Sequence, residues 1–423
     1  MLKPQDNERI TRVGPGTPGG ELLRRYWLPA LLSSEVTESD GPPVRVRMLG
    51  ENLVAFRDSS GRVGLMDAYC AHRRAPLFFG RNEENGIRCV YHGWKFDATG
   101  RCVELPSEPA GTPMLGKVRL TAYPTIELAG VVWAYLGPSA EQPKAPDYEW
   151  LRAPDGYRHV SKTIENCNYL QGLEGGLDSS HSSFTHNNKL GDLSELRNRD
   201  RAPHLEVETT AYGYRYSSTR KAEEGRCYVR VYHYVMPTLQ MRGTVTAFDG
   251  GRNKVPKIDG HIWVPIDDER THVYNFMYGY DSDVPLNEEY VAQWESLCGR
   301  GKDDMVPGTF RLKQSAANDY LIDRQVQKTR TFTGIPGINT QDFALQEGMG
   351  AIVDRSKENL GTSDRAIVAM RRLLLKATRS VEKGAGAPGT DPAAYRNVRP
   401  HDDYVAAGED WRVALKAALQ AKW

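Results

Sequence analysis

Two short stretches decide how this chain reads: Cys70-Ala-His72-Arg-Arg-Ala-Pro76 and Cys89-Val-Tyr-His92-Gly-Trp94-Lys-Phe-Asp97, with sixteen residues between His72 and Cys89. Each supplies one thiol and one imidazole. Such a set can build a tetrahedral zinc site. It also suits a two-iron, two-sulfide cluster in which two His replace two Cys on one iron. Charge separates the consequences. Two ferric ions and two sulfides carry a net double positive charge, which four thiolates would turn into a dianion. Two thiolates and two neutral imidazoles leave the cluster neutral, so it accepts an electron at a potential higher by roughly hundreds of millivolts. Zinc knuckles present Cys-x₂₋₄-Cys ahead of a His pair, and this chain does not. On the second reading the chain is built to receive electrons.

Around these loops the hydrophobic period is two. Val44, Val46 and Met48 alternate with Arg45 and Arg47, Gly50-Glu-Asn turns the chain, and Leu53, Val54 and Phe56 return. Short strands continue over 62–68 and 118–136, which predicts a small antiparallel β domain with the Cys/His pieces at loop tips. Residues 138–154 are rich in Pro and charge and read as a linker. The expected division is a lead-in over 1–37 with a short helix near Glu21–Leu28, a cluster domain over 38–150 and a second domain over 151–423. In the second domain residues 164–186 read as helical, and aromatic, β-branched runs fill 205–241 and 261–280. Helices over 363–383 and 411–419 close the chain. Strands in the middle with helices at both ends predict an α+β domain.

Gly14-Pro-Gly-Thr-Pro-Gly19 matches G-x-G-x-x-G in form only. No strand precedes it, and Pro15 and Pro18 lack N–H groups for a pyrophosphate. It reads as a turn, so any nicotinamide or flavin chemistry belongs to another protein.

The second constellation lies in Glu174-Gly-Gly-Leu-Asp178-Ser-Ser-His181-Ser-Ser-Phe-Thr-His186. On a helix Glu174, Asp178 and His181 share one face. His186 follows His181 by five residues, about 140° around an ideal helix, so both reach one metal only across a break, expected at Ser182-Ser183. Two His and one carboxylate on one face of a metal describe a mononuclear ferrous oxygenase site. The carboxylate expected is Asp342, in Gln341-Asp-Phe-Ala-Leu-Gln-Glu347, with Glu347 and Asp354 as fallbacks. The other six His (159, 204, 233, 261, 272 and 401) show no ligand spacing and read as structural or surface residues; Trp94 reads as packing over a cluster loop.

Bulk properties set limits. Lys+Arg 55 against Asp+Glu 54 leaves no charge excess that would point to nucleic acid. No apolar run reaches 18 residues, and the charged start lacks a signal-peptide core, so no membrane role and a cytoplasmic location are expected. Six Cys in 423 residues make no disulfide framework. Cys102, Cys167, Cys227 and Cys298 are expected to remain thiols.

Taken together, Cys70-x-His72-x₁₆-Cys89-x₂-His92 followed by Asp178-x₂-His181-x₄-His186 resembles the Rieske non-haem iron oxygenases. Leu173-Glu-Gly-Gly-Leu-Asp-Ser-Ser-His-Ser-Ser-Phe184 and Gln341-Asp-Phe-Ala-Leu-Gln-Glu-Gly348 are most similar to the phthalate dioxygenase branch, which includes aromatic-acid O-demethylases. The resemblance implies a Rieske [2Fe-2S] domain held by Cys70, His72, Cys89 and His92, and a helix-grip catalytic domain with Fe(II) on His181, His186 and Asp342. It further implies electrons from NADH through a separate flavoprotein reductase, and O₂ used to oxidise an aromatic substrate, an aromatic carboxylate above all. The products would be a cis-dihydrodiol or, from a methoxy group, a phenol and formaldehyde. A head-to-tail homotrimer, or stacked trimers forming a hexamer, would bring one subunit's cluster near the next subunit's iron. Asp178 would bridge His92 of that cluster and His181, fixing the imidazole's tautomer and orientation. A carboxylate substrate calls for an Arg in the pocket; Arg242 and Arg220 are the candidates, with Asn166 and Asn168 as further lining. The different-class alternative is a pure Rieske electron carrier.

Overall fold

The computed structural model describes residues 2–243 and 255–423, which form two compact units: 13–145, and 1–12 with 146–423. In the first, short antiparallel strands build three small sheets. Trp27–Leu32, Val131–Tyr135 and Thr125–Leu128 form one; Val44–Met48, Glu51–Arg57 and Val63–Asp67 the second; Arg81–Glu83, Gly86–Arg88, Lys95–Asp97 and Cys102–Glu104 the third. Their core gathers Val54, Phe56, Met66, Leu77, Ile87, Trp94 and Phe96 around Cys70 and Cys89.

The second unit is built on an eight-stranded antiparallel sheet in the order Arg158–Glu165, Thr271–Gly279, Lys257–Pro265, Leu239–Gly243, Arg226–Val235, Gly213–Lys221, His204–Thr210. His401–Ala406 pairs with Arg226–Val235 as the eighth strand. Three helices, Tyr169–Leu177, Ile338–Gly348 and Arg365–Glu382, pack around it. The Lys257–Pro265 and Thr271–Gly279 strands are buried almost throughout, so they lack the polar–apolar alternation of a half-exposed strand. No described helix is long and apolar enough to cross a membrane.

Three local expectations differ from what is observed. The 1–37 lead-in is divided. Pro4–Thr11 is a helix of the second unit, where Tyr169 donates its hydroxyl to Ile10 O and Asn168 its amide to Thr11 O. Trp27–Leu32 is a strand of the first unit, hydrogen-bonded to Val131–Tyr135 with Leu28 and Leu31 buried. The short helix is Pro18–Leu23, capped by Thr17, and Gly14–Gly19 is the turn that enters it. Residues 164–186 are not one helix either: Ile164 and Glu165 end a strand, and the helix covers only Tyr169–Leu177. Asn168 accepts from Leu170 N and so starts that helix only after the strand has ended. The division between the units falls at Ala145 and Pro146, within the Pro-rich stretch but before the expected 150.

Buried charge ties the second unit's C-terminus to its sheet. Glu149 is fully buried and accepts from Arg399, from the Tyr278 hydroxyl and from Lys422 N. Glu149→Ala would leave Arg399 buried without its carboxylate, a loss of about 3–5 kcal/mol. A fall in the unfolding midpoint of the intact protein is the expected result.

Candidate metal centres

The two Cys/His loops are closed in the same way. Cys70 N donates to Ala75 O and Arg74 N to Cys70 O; Cys89 N donates to Trp94 O and Gly93 N to Cys89 O. The fifth residue of each loop has positive φ, +61° at Arg74 and +75° at Gly93. Arg74 is held there by Asp67, while a Cβ on Gly93 would stand 2.6 Å from Pro106. Each loop thus presents a buried Cys and, two or three residues on, a His at its rim.

The side chains segregate by chemistry. Burial pushes the Cys70 thiol up to about 12, the His72 N–H pulls the other way, and neighbouring Cys89 adds to the rise. The His72 and His92 rings lie 4.4 Å apart, centroid to centroid. Trp94 stacks on His72 at 4.5 Å and donates its indole N–H to Ser107. Nδ1 of His72 is buried without a hydrogen-bond partner, an orphan that a metal bond would satisfy. One tetrahedral zinc would draw all four donors to within roughly 4 Å of one another. Among the described residues, no three donors of this set come within 4.8 Å. Thiols paired with thiols and imidazoles with imidazoles fit two metal ions, one for each kind.

In the second unit the Tyr169–Leu177 helix ends at Asp178, whose ψ of 116° turns the chain out of it. Asp178 Oδ1 accepts from Ser180 N at 2.7 Å, and a single 3₁₀ turn, His181–Ser183, follows. The break therefore precedes His181 rather than falling at Ser182-Ser183: a carboxylate that can accept local N–H groups competes with the helix ladder. The next turn, with Thr185 N donating to His181 O, brings His186 back to His181.

Across from them Asp342 projects from the Ile338–Gly348 helix. Nε2 of His181 lies 3.0 Å from Nε2 of His186, and Asp342 Oδ1 lies 3.6 and 3.4 Å from the two. Donors bound to one cation at about 2.1 Å lie roughly 3 Å apart. Two imidazole nitrogens this close need a proton or a cation between them. Burial pushes His186 down to about 4, so it is neutral and a ligand near pH 7. His181 is pushed down by burial but raised overall by Asp178 and Asp342. These three form a set able to hold one ion, and no other such set exists among the described residues. The fallbacks lie elsewhere: Glu347 accepts from Tyr320 and Asn166, and Asp354 caps a 3₁₀ turn at Ser356.

Neighbouring groups set the orientation. His186 Nδ1 meets Gln341 Oε1 at 2.8 Å, and Gln341 Nε2 donates to Ile335 O. With its amide so fixed, Gln341 accepts the Nδ1–H and leaves Nε2 bare for a metal. Gln341 was legible only as the neighbour of Asp342. Asp178 Oδ2 stands 3.7 Å from the buried, unpartnered Nδ1 of His181. Burial opposes ionisation of Asp178, but His181 and the Ser180 N–H outweigh it and hold the carboxyl below its usual range. Glu174 does not join this group; it is clamped by Arg355 and Arg371.

The three donors open into a cavity of about 440 Å³. Gly172, Gly175 and Gly176 let the metal helix lie against Trp263 and Gln346; a Cβ on Gly176 would stand 2.2 Å from the indole. The far wall carries Arg230, Arg242, Asp259 and His261. Arg242 reaches Asp259 and donates to His261 Nε2 at 2.8 Å, while His261 Nδ1 faces Asn275. Burial holds His261 neutral. Arg230 is buried, donates to Gly243 O and has no partner at Nε. Arg242 and Lys257 share Asp259, and Arg230 is opposite Asp402 in the neighbouring strand, so two arginines, Arg230 and Arg242, stand in this part of the cavity lining.

Several expectations change here. Arg220 is not in the cavity wall; it is buried and bonds Asp200 O and Ser179 O. Asn168 is a buried helix cap, and Asn166 pairs with Glu347 at the surface. His261, read as structural, lines the cavity, and Arg230 was not singled out because strand position alone does not tell which Arg turns inward.

Residues 26–124 match the family described as Rieske [2Fe-2S] domain, and residues 134–422 match LigXa C-terminal domain like. The chain is 39% identical to the phthalate 4,5-dioxygenase oxygenase subunit of Pseudomonas putida, over 97% of this chain and 94% of that one. It is 39% identical to the 3-chlorobenzoate-3,4-dioxygenase oxygenase subunit of Comamonas testosteroni, over 99% of each. Identity to the 5,5'-dehydrodivanillate O-demethylase oxygenase subunit of a Sphingobium species is 33%, over 96% and 89%. Among solved structures, Pseudomonas putida CBB5 NdmA with caffeine shares the fold at a TM-score of 0.63 and 18% identity, over 92% of this chain and 98% of that one.

Proposed function

Because the chain belongs to the Rieske non-haem iron oxygenases, we propose that it is the terminal oxygenase of a multicomponent system that oxidises an aromatic carboxylate with O₂. The convergence of His181, His186 and Asp342 in the lining of a cavity that also holds Arg230 and Arg242 carries this reading. When bound, a [2Fe-2S] cluster on Cys70, His72, Cys89 and His92 supplies electrons one at a time, and Fe(II) on the second set activates O₂. The electrons come from NADH through a separate flavoprotein reductase.

The chain's own groups do the rest. Gln341 and Asp178 hold the two imidazoles in the tautomer and orientation that ligation needs. Trp263, Val273 and Phe343 give the cavity an apolar side for a ring, and Arg230 and Arg242 give it a cationic end for a carboxylate. Asp178 also serves as the bridge toward a neighbouring subunit's His92 in a homotrimer, alone or stacked into a hexamer; sedimentation of the intact protein tests that assembly.

Ring dihydroxylation is the first reading, and the relatives acting as dioxygenases support it. Oxidative demethylation of a methoxylated aromatic acid is the second, supported by the O-demethylase relative. With reductase and NADH, a panel of phthalates, substituted benzoates and methoxybenzoates should show substrate-dependent O₂ uptake for one class, with formaldehyde only for the second. A colourless protein carrying zinc would overturn the proposal. Arg230→Gln and Arg242→Gln should each weaken binding of the carboxylate by about 10²-fold, the scale of removing one partner of a buried charge pair. Equal losses for an uncharged amide analogue would show that the arginines do not read the carboxylate.

A further inference from the structure

Behind the cavity wall lies a carboxyl group that neither metal set uses. Glu165, at the end of the Arg158–Glu165 strand, is fully buried. Its Oε1 meets the Cys167 thiol at 3.4 Å, and its Oε2 has no hydrogen-bond partner. That free oxygen stands 2.6 Å from where a Cβ on Gly172 would be, and Trp263 Nε1 stands 2.5 Å from the same point. Gly172 and Trp263 both line the cavity, so Glu165 sits one layer behind its wall, at the place where the metal helix has no side chain.

The residue that follows Glu165 is at the surface. Glu347, partly exposed, accepts the Tyr320 hydroxyl and the backbone and side-chain N–H groups of exposed Asn166, the residue after Glu165. Asp342 and Glu347 are on one helix, roughly 7.5 Å apart along its axis. Burial above all, then the charges of Glu347 and Asp342, raises the Glu165 carboxyl well above its usual range, with the Cys167 thiol opposing.

Oxidation of either substrate class consumes protons. A ring, O₂, two electrons and two protons give the dihydrodiol; a methoxy group with the same additions gives the hydroxyl, formaldehyde and water. NADH and the reductase supply the electrons, and the protons must be delivered inside the cavity.

Resting on the oxygenase reading above, we infer that Glu165 is the proton-relay residue of this cavity: its O–H gives a proton to the dioxygen under reduction, and the resulting carboxylate is reprotonated from solvent on the Glu347–Tyr320 side. Three titratable groups that do line the cavity are engaged elsewhere. His261 has its Nδ1–H directed at Asn275, and Asp178 and Asp342 face imidazoles.

The test compares the wild-type holoenzyme with Glu165→Gln, which keeps size and polarity but has no acidic proton, and with Glu165→Asp. Infrared difference spectra at neutral pH should show a protonated-carboxyl carbonyl band that Glu165→Gln removes. With cluster colour, iron content and substrate affinity retained, Glu165→Gln should lower product formation by about 10²-fold. It should also raise the share of NADH oxidised without product and enlarge the solvent deuterium isotope effect, while Glu165→Asp restores part of the rate. No difference band, or wild-type rate and isotope effect in Glu165→Gln, would overturn the inference. Absence of any O₂-dependent oxidation by the wild type would instead sink the oxygenase reading itself.

Discussion

His181→Ala and His186→Ala are each expected to bring product formation down by on the order of 10³-fold or more, several kcal/mol of lost metal-ion catalysis, while the protein stays red-brown. The two imidazoles and Asp342 are the only described set whose donors close around one point. Removing either His leaves two donors and widens the site. The cluster set belongs to the other compact unit, with its own core and its own closed loops, so its spectrum should not change. Iron analysis should fall by one ion per chain with cluster iron retained. This result separates an oxygenase from an electron carrier, for which both variants would pass electrons on as well as the wild type.

Asp178→Asn is expected to retain both metals and the substrate site yet turn over about 10–100-fold more slowly, the range of losses for groups that orient a metal ligand. The amide oxygen of Asn can still accept from Ser180 N, so the turn that places His181 survives. What disappears is the negative charge 3.7 Å from the orphaned Nδ1 of His181. Without it the imidazole has less reason to keep its proton on Nδ1 and present Nε2. Stopped-flow measurement should show the cluster reduced by a chemical donor at the normal rate and reoxidised slowly in the presence of substrate and O₂. Normal reoxidation would remove Asp178 from the path between the two centres.

Much of this was legible in one dimension because its chemistry is local. A Cys and a His two or three residues apart can only be presented by one loop, so their spacing is a statement about geometry. His181 and His186 are likewise close enough in sequence that the chain between them has few ways to fold. The Val44–Met48 strand of the first unit announced itself by period two, since one face of it is solvated. The strands of the second unit did not: 257–265 and 271–279 are buried on both faces and show composition rather than alternation. Glu165 ended a half-buried strand unnoticed, and residues 164–186 read as one helix because a strand end, a cap and a short helix there share the same apolar content.

The chain order alone fixed the kind of metal chemistry, the two-part architecture and the identity of the ligands to be expected. Tertiary structure alone decided which Arg reaches the cavity, that Gln341 holds His186, that Glu174 is spent on Arg355 and Arg371, and that Glu165 lies behind Gly172. The reason is physical. Ligand spacing along a loop is set by bond geometry over a few residues. The direction of a side chain in a wide sheet is set by partners over a hundred residues away, as Asn275 is for Ser161 and Asp402 for Tyr228.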